Sequence, residues 1–218
     1  MTRRLMIILV LVFALVAFAG GTWLANKSAA PADVPTVASA LADRLVRPHS
    51  PILGAPNAPV TIVEFFDPAC EACRAFHPVV KQTLAEHGDS VRVVIRYAPF
   101  HGDASETAVR ILEAARRQAR FEPVLEALLA AQPVWAQHGN PQLDVAWQAA
   151  GDAGLDVEEA RRVIADPEID AVLAQDAADV AAVGVQRTPT FFVDGRPLMR
   201  FGADELKAMV RQQVEATS

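Results

Sequence analysis

The chain has 218 residues, of which 52% are hydrophobic and 21% charged, and this balance excludes an intrinsically disordered protein. Its formal net charge is −6, from 20 basic and 26 acidic residues, which argues against a nucleic-acid partner. Its two cysteines, Cys70 and Cys73, are too few and too close together to hold a disulfide-rich domain.

The first predicted element is an apolar segment over residues 5–24, which carries no charge and follows Arg3 and Arg4. About 20 helical residues are enough to cross the hydrocarbon core of a bilayer. A basic start before an apolar run is also typical of a cleaved export signal, and Ala19 offers a possible cleavage point. We favour an anchor in the inner membrane over a cleaved signal, because a short signal core lacks spanning length.

The rest of the chain is expected to lie outside the cytoplasm, because the positive end of the segment should stay inside. With residues 1–25 assigned to the signal or anchor, residues 26–51 predict a linker rich in Ala, Ser and Pro. Within it, apolar spacing predicts a short helix over 36–46. The folded domain is predicted over 52–218, where the chain is long enough to bury a core without disulfides.

Hydrophobic periodicity and turn residues predict the elements of this domain. In chain order they are a strand over 60–66, a helix from about Cys70 to His87, a strand over 91–97, a helical block over 103–182, a strand over 190–193, an Asp194-Gly195 hairpin turn with its partner strand over 196–200, and a helix over 203–215. The block is expected to contain about four helices, divided at Pro133, Pro141, Gly151 and Pro167. This order predicts an α/β fold with a helical insertion in a small sheet.

The pair Cys70 and Cys73 follows a predicted buried strand and opens a predicted helix. A thiol at a helix N-terminus lies near unpaired backbone N–H groups and the positive end of the helix dipole. Both favour the thiolate, which is the nucleophilic form. The second thiol, one turn further on, could attack a mixed disulfide and release the substrate. The spacing therefore predicts redox catalysis.

Three other interpretations of the pair remain. A structural disulfide would close only a small loop and would constrain the unfolded chain little. A structural zinc site needs four ligands, and the sequence has no second cysteine pair. Two thiolates could hold Cu(I), which makes a copper-binding protein the alternative function, although no Met-rich or His-rich tract accompanies them.

The stretch from Glu64 to Cys73, EFFDPACEAC, resembles the active-site segment of DsbA-like thiol:disulfide oxidoreductases in the thioredoxin superfamily. Thr188-Pro189, before a Phe-rich strand, and the Ala-rich block between Tyr97 and Thr188 are further points of similarity. The resemblance covers about residues 52–216. It implies a thioredoxin-like fold with an α-helical insertion, and catalysis without a bound cofactor or metal.

The resemblance also implies residue roles. Cys70 would be the exposed nucleophile and Cys73 the buried resolving thiol. The Thr188–Pro189 peptide bond would be cis and would face the sulfurs, where its loop binds the substrate peptide. Glu64 would be a buried acid that carries protons for Cys73, although a salt-bridged structural acid is the alternative.

The residues between the cysteines differ from those of strongly oxidising relatives, which carry a histidine before the second cysteine. Ala72 stands there in this chain, and Glu71 adds a negative charge that opposes thiolate formation. The pKa of Cys70 is therefore expected to exceed the ~3.5 of DsbA, which would make the disulfide less oxidising. His77 and His101 are expected to be structural or solvated.

Together these features predict an enzyme that exchanges disulfides with cysteine-containing exported proteins in the periplasm or another extracytoplasmic space. A membrane redox partner would recharge the cysteine pair. The motif is shared by oxidases, isomerases and reductases, so the direction of electron flow stays open.

Overall fold

The computed structural model describes residues 37–217. The predicted signal or anchor segment at 5–24 and the first part of the predicted linker lie outside the described residues. Within residues 37–217, no helix is both long and apolar enough to cross a membrane.

Eight α-helices and five strands are formed by residues 37–217. In chain order they are α1 (Val37–Leu45), β1 (Ile52–Gly54), β2 (Val60–Phe66), α2 (Glu71–His87), β3 (Val91–Tyr97), α3 (Asp103–Arg117), α4 (Phe121–Trp135), α5 (Leu143–Asp152), α6 (Val157–Val163), α7 (Pro167–Val183), β4 (Thr190–Val193), β5 (Arg196–Pro197) and α8 (Ala203–Thr217). The predicted α/β order, with a helical block between β3 and β4, is confirmed.

The five strands form one sheet in the order β1-β3-β2-β4-β5. The central strands β2 and β3 are parallel, whereas β1 and β4 pair antiparallel on either side of them. Six of the seven residues of β2 are buried, which confirms that its continuous apolar sequence forms a strand covered on both faces. The short edge strand β1 was not predicted from the sequence. The strand at the other edge, β5, ends at Pro197 rather than at the predicted residue 200.

Side chains alternate between the two faces of the sheet, and each face has its own core. Ile62 and Phe66 of β2 pack in the larger core with α2, α8 and the helical insertion. Val63 and Phe65 point to the opposite face, where they pack in a smaller core with Leu45 of α1 and residues near the end of α7. Residues 60, 62, 64 and 66 therefore face α2.

The helical block contains five helices rather than the predicted four. The missed boundary lies between α3 and α4, where Ala119 adopts a positive φ of 56°. Ala119 itself does not signal a turn, because alanine favours a helix, and the local signal is Pro123 in the first turn of α4. Pro133, predicted as a divider, lies inside the last turn of α4, only two residues before the helix ends at Trp135.

The last part of the predicted linker packs against the domain, so the ordered structure begins upstream of the predicted start at residue 52. Leu45 is 2% exposed. The guanidinium of Arg47 donates two hydrogen bonds of 2.8 Å to the carboxylate of Asp179, on α7. The imidazole of His49 lies 2.7 Å from Asp176 of the same helix. These contacts join distant parts of the sequence, and linker composition does not reveal them.

Candidate active site

Cys70 and Cys73 lie where β2 passes into α2, at the carboxyl end of the parallel strand pair. Cys70 is the N-cap residue of α2, with extended backbone angles, and Cys73 lies in the first turn. Both are free thiols. Cys70 is 7% exposed and Cys73 is fully covered. The order of exposure agrees with the predicted roles, although Cys70 is itself more covered than an exposed nucleophile would suggest.

The two thiols have opposite pKa shifts. A hydrogen bond from Cys73, aided by the side chain of Thr188 and the backbone N–H groups of Cys73 and Ala72, lowers the pKa of Cys70 to about 5 against the opposing effect of burial. Burial, together with the hydrogen bond to Cys70 and the charge of Glu64, raises the pKa of Cys73 well above its usual range. These shifts favour a thiolate at Cys70 and a thiol at Cys73. The pKa of Cys70, about 5, is above the ~3.5 of DsbA.

Asp67 organises the loop between β2 and α2, and the motif analysis did not single it out. Its buried carboxylate accepts hydrogen bonds from the Ala69 N–H, the Ser105 hydroxyl and the Phe100 N–H, and lies 2.6 Å from Nδ1 of His101. Its own N–H donates to the Cys73 sulfur at 3.5 Å. The Asp-Pro pair at 67–68 is a turn signal that could have identified it.

The peptide bond between Thr188 and Pro189 is cis, which confirms the prediction. The loop lies against Cys70, because the Cys70 sulfur is 3.3 Å from the carbonyl oxygen of Thr188. Two residues that are 118 positions apart in the sequence therefore meet at the candidate site.

Glu64 lies in the middle of β2, on the face that packs against α2, and is 2% exposed. Among the described residues, no hydrogen bond or ion pair reaches its carboxyl group. Burial, and to a smaller extent the charge of Cys70, raises its pKa to about 8. The side chain is therefore protonated at neutral pH, as the cost of a buried unpaired charge requires.

The two histidines noted in the sequence differ in environment. His101 contacts Asp67 and is a third exposed. Nε2 of His77 is buried without a hydrogen-bond partner in the described part of the chain, and burial lowers the pKa of this imidazole. Within residues 37–217, no group of three or more His, Cys, Asp or Glu side chains is arranged to hold a metal ion.

Comparison with known families adds to this geometry. The family model described as Thioredoxin matches residues 47–212, which include both cysteines, Asp67 and the Thr188-Pro189 loop. The chain belongs to the thioredoxin family.

Two solved structures share the fold of this thioredoxin-family chain over most of its length. A thioredoxin-like oxidoreductase from Silicibacter pomeroyi DSS-3 is 31% identical, with a TM-score of 0.70 over 79% of this chain and 97% of that one. BdbD from Bacillus subtilis is 23% identical and shares the fold, with a TM-score of 0.69 over 77% of this chain and 94% of its own. The predicted membership of the thioredoxin superfamily and the predicted thioredoxin-like fold with a helical insertion are confirmed.

Relatives in sequence are of two kinds. The Na(+)/H(+) antiporter NhaA of Herminiimonas arsenicoxydans is 35% identical over 185 residues, which are 81% of this chain but 28% of the antiporter. Disulfide bond formation protein D of Bacillus subtilis is 24% identical over 76% of this chain and 77% of its own length. The chain thus spans less than a third of the antiporter it matches. The family and the cysteine pair together support thiol–disulfide oxidoreductase chemistry.

Proposed function

We propose that the chain is an exported thiol:disulfide oxidoreductase that exchanges disulfides with cysteines of extracytoplasmic proteins, with Cys70 as nucleophile and Cys73 as resolving thiol. The observation that carries this proposal is the placement of two free thiols at the start of α2, with the Cys70 sulfur beside the Thr188 carbonyl group and Cys73 fully buried. The lowered pKa of Cys70 and the raised pKa of Cys73 agree with this placement. A thiolate is the form that attacks disulfides, and a thiol of low pKa is also a good leaving group.

In the reducing direction, the Cys70 thiolate attacks one sulfur of the substrate disulfide and forms a mixed disulfide, and the other substrate sulfur leaves as a thiolate. Cys73 then loses its proton and attacks the Cys70 sulfur, which releases the second substrate sulfur. The substrate gains two electrons and the chain is left with a Cys70–Cys73 disulfide. Oxidation of a substrate dithiol follows the same steps in reverse.

Glu64 is proposed to move the proton that Cys73 must lose before it can resolve the mixed disulfide. It shares the sheet face that packs against α2, and its charge acts on Cys73. The pKa of Glu64, about 8, is raised in part by the charge of Cys70, which the mixed disulfide removes, so ionised Glu64 becomes more available to accept the Cys73 proton. An acid of ordinary pKa would remain ionised throughout and could not deliver a proton in the reverse direction.

The Thr188-Pro189 loop is proposed to bind the substrate peptide. Its backbone runs beside the Cys70 sulfur, and an extended peptide placed there could pair with main-chain groups of the loop in the manner of an added strand. Such pairing recognises the backbone rather than particular side chains, and it would bring a substrate sulfur to Cys70.

The predicted anchor at residues 5–24 would hold the domain at the outer face of the inner membrane, close to a membrane redox partner that recharges the pair. The direction of electron flow would be set by that partner and by the reduction potential of the cysteine pair. A Cys70 pKa of about 5 lies between the ~3.5 of DsbA and the ~7 of thioredoxin, so we propose an intermediate potential and a weaker oxidant than DsbA.

Two variants test the proposal. Cys70→Ser should abolish disulfide exchange with a model peptide, whereas Cys73→Ser should attack but not resolve, and so accumulate a mixed disulfide visible by mass spectrometry. Exchange that survives in Cys70→Ser would contradict the proposed nucleophile. If the reduced domain instead retained Cu(I) against a competing chelator while lacking exchange activity, the copper-binding alternative would replace the redox function.

A further inference from the structure

Gln132 lies on α4 of the helical insertion, and its side chain reaches the loop that carries the cysteines. Its amide nitrogen donates to the carbonyl oxygens of Pro68 and Cys70, at 2.8 and 2.9 Å. The residue is 1% exposed, so water does not replace these donors readily. The insertion thus supplies a side-chain donor to two carbonyl groups of the redox loop.

The orientation of the Gln132 amide is set by Arg74. Nε of Arg74 donates to Oε1 of Gln132 at 2.9 Å. A rotated amide would place its oxygen against two carbonyl oxygens and its NH₂ group against a guanidinium, so only the described orientation satisfies all three contacts. Arg74 lies on α2, one turn after Cys70, and therefore holds the amide from the same helix whose start the amide supports.

The Cys70 carbonyl group is also the first acceptor of α2, because it receives the Arg74 N–H at 3.1 Å. Fixing this carbonyl fixes the plane of the following peptide group and hence the direction of the next N–H groups. The N–H groups of Ala72 and Cys73 contribute to the low pKa of Cys70. A side chain from the insertion is thereby linked to the ionisation of the nucleophile.

We propose that Gln132 is a positioning residue of the redox site, which holds the Pro68 and Cys70 carbonyl groups so that the N–H groups in the first turn of α2 stay directed at the Cys70 sulfur. The inference rests on the proposed role of Cys70 as the nucleophile. Without Gln132, two buried carbonyl groups lose a donor, and the loop is expected to turn them toward other partners.

The test replaces Gln132 by an apolar side chain of similar length. In reduced Gln132→Met, the rate of Cys70 alkylation by iodoacetamide, followed from pH 4 to 10 by mass spectrometry of the Cys70 peptide, should fall roughly tenfold at pH 5. At pH 10, where the thiol is ionised in both proteins, the rates should agree. Gln137→Met is the matched control, because Gln137 is exposed beside the same part of α4, and it should follow the wild-type profile.

Circular dichroism establishes that the variant is folded before its profile is read. If the pH midpoint of Cys70 alkylation in folded Gln132→Met equals that of the wild type, the positioning role is overturned. If Gln132→Met does not fold, Arg74→Lys serves instead, because it keeps the positive charge and replaces Nε, the donor that orients the amide, by a methylene group. An upward shift in the pH midpoint of Cys70 alkylation supports the role, and an unshifted midpoint overturns it. A wild-type midpoint near the ordinary thiol pKa of 9.0 would instead contradict the proposed nucleophile.

Discussion

The sulfur of Cys70 lies 3.3 Å from the carbonyl oxygen of Thr188. The proposed nucleophile is therefore in direct contact with the residue before the cis peptide bond, on the loop proposed to bind substrate. This contact has two components with opposite effects. An S–H group that donates to the carbonyl favours the thiol, whereas the Thr188 side chain favours the thiolate and helps to lower the pKa of Cys70.

Thr188→Val tests the second component, because valine keeps the branched shape and lacks the hydroxyl. We expect the pKa of Cys70 to rise and its alkylation rate at pH 5 to fall roughly threefold, the amount that the loss of one modest hydrogen bond implies. Thiolate absorbance at 240 nm as a function of pH measures the shift. Thr188→Ser keeps the hydroxyl and is the control; equal titration curves for all three proteins would assign the hydroxyl no role.

The reactivity and the stability of the reduced protein should both depend on the ionisation of Cys70. The folded pKa is about 5 and the ordinary value is 9.0. Between these values the folded chain binds fewer protons than the unfolded chain, so the stabilisation is complete above about pH 9 and is lost as pH falls to about 5. Glu64 titrates in both proteins, so the difference in unfolding free energy between the reduced wild type and Cys70→Ser, measured by urea unfolding at pH 5, 7 and 9, should show this rise.

Glu64→Gln should change stability with the opposite pH dependence. The folded pKa of Glu64 is raised from 4.5 to about 8, so its protonated form stabilises the fold fully below pH 4.5 and the contribution is lost as pH rises through 8. We expect the difference between wild type and Glu64→Gln to change by about 1 kcal/mol per pH unit within this window.

Urea unfolding of the oxidised proteins at pH 5, 6.5 and 8 measures the Glu64 effect, because the disulfide removes the titration of Cys70. In the reduced enzyme, Glu64→Gln should also prolong the mixed disulfide, which quenched time points would reveal. A parallel pH dependence in the two oxidised proteins would show that the carboxyl group is not held in its protonated form.

Asp176→Asn should destabilise the domain by about 3 kcal/mol, because it leaves a buried cation without one of its partners. Arg96 of β3 is fully buried and donates to Asp176 and Asp179 of α7. Asp170→Asn is the matched control on the same helix, since Asp170 is 56% exposed and pairs with Arg110, and it should cost less than ~1 kcal/mol. Chemical denaturation at neutral pH compares them; similar losses would mean that the buried charge is solvated or compensated.

The sequence predicted those features that local residue patterns specify. The continuous apolar run of β2 indicated a strand covered on both faces, and the Cys70 to Cys73 spacing at a helix start indicated the redox site. Asp67 and Gln132 were missed because most of their partners are distant in the sequence, between 33 and 38 positions away for the distant partners of Asp67 and between 58 and 64 positions away for Gln132. The break at Ala119 was missed for a different reason: alanine favours a helix, yet Ala119 has a positive φ.

The carboxylates of Asp176 and Asp179 accept hydrogen bonds from Arg96 of the sheet. In the segment before β1, Arg47 donates to Asp179 and His49 contacts Asp176. A shortened protein that starts at the predicted boundary of residue 52 would remove Arg47 and His49 and expose α7. For expression of a soluble catalytic fragment, the first residue should therefore be chosen upstream of α1, even though the cysteine motif lies far from it.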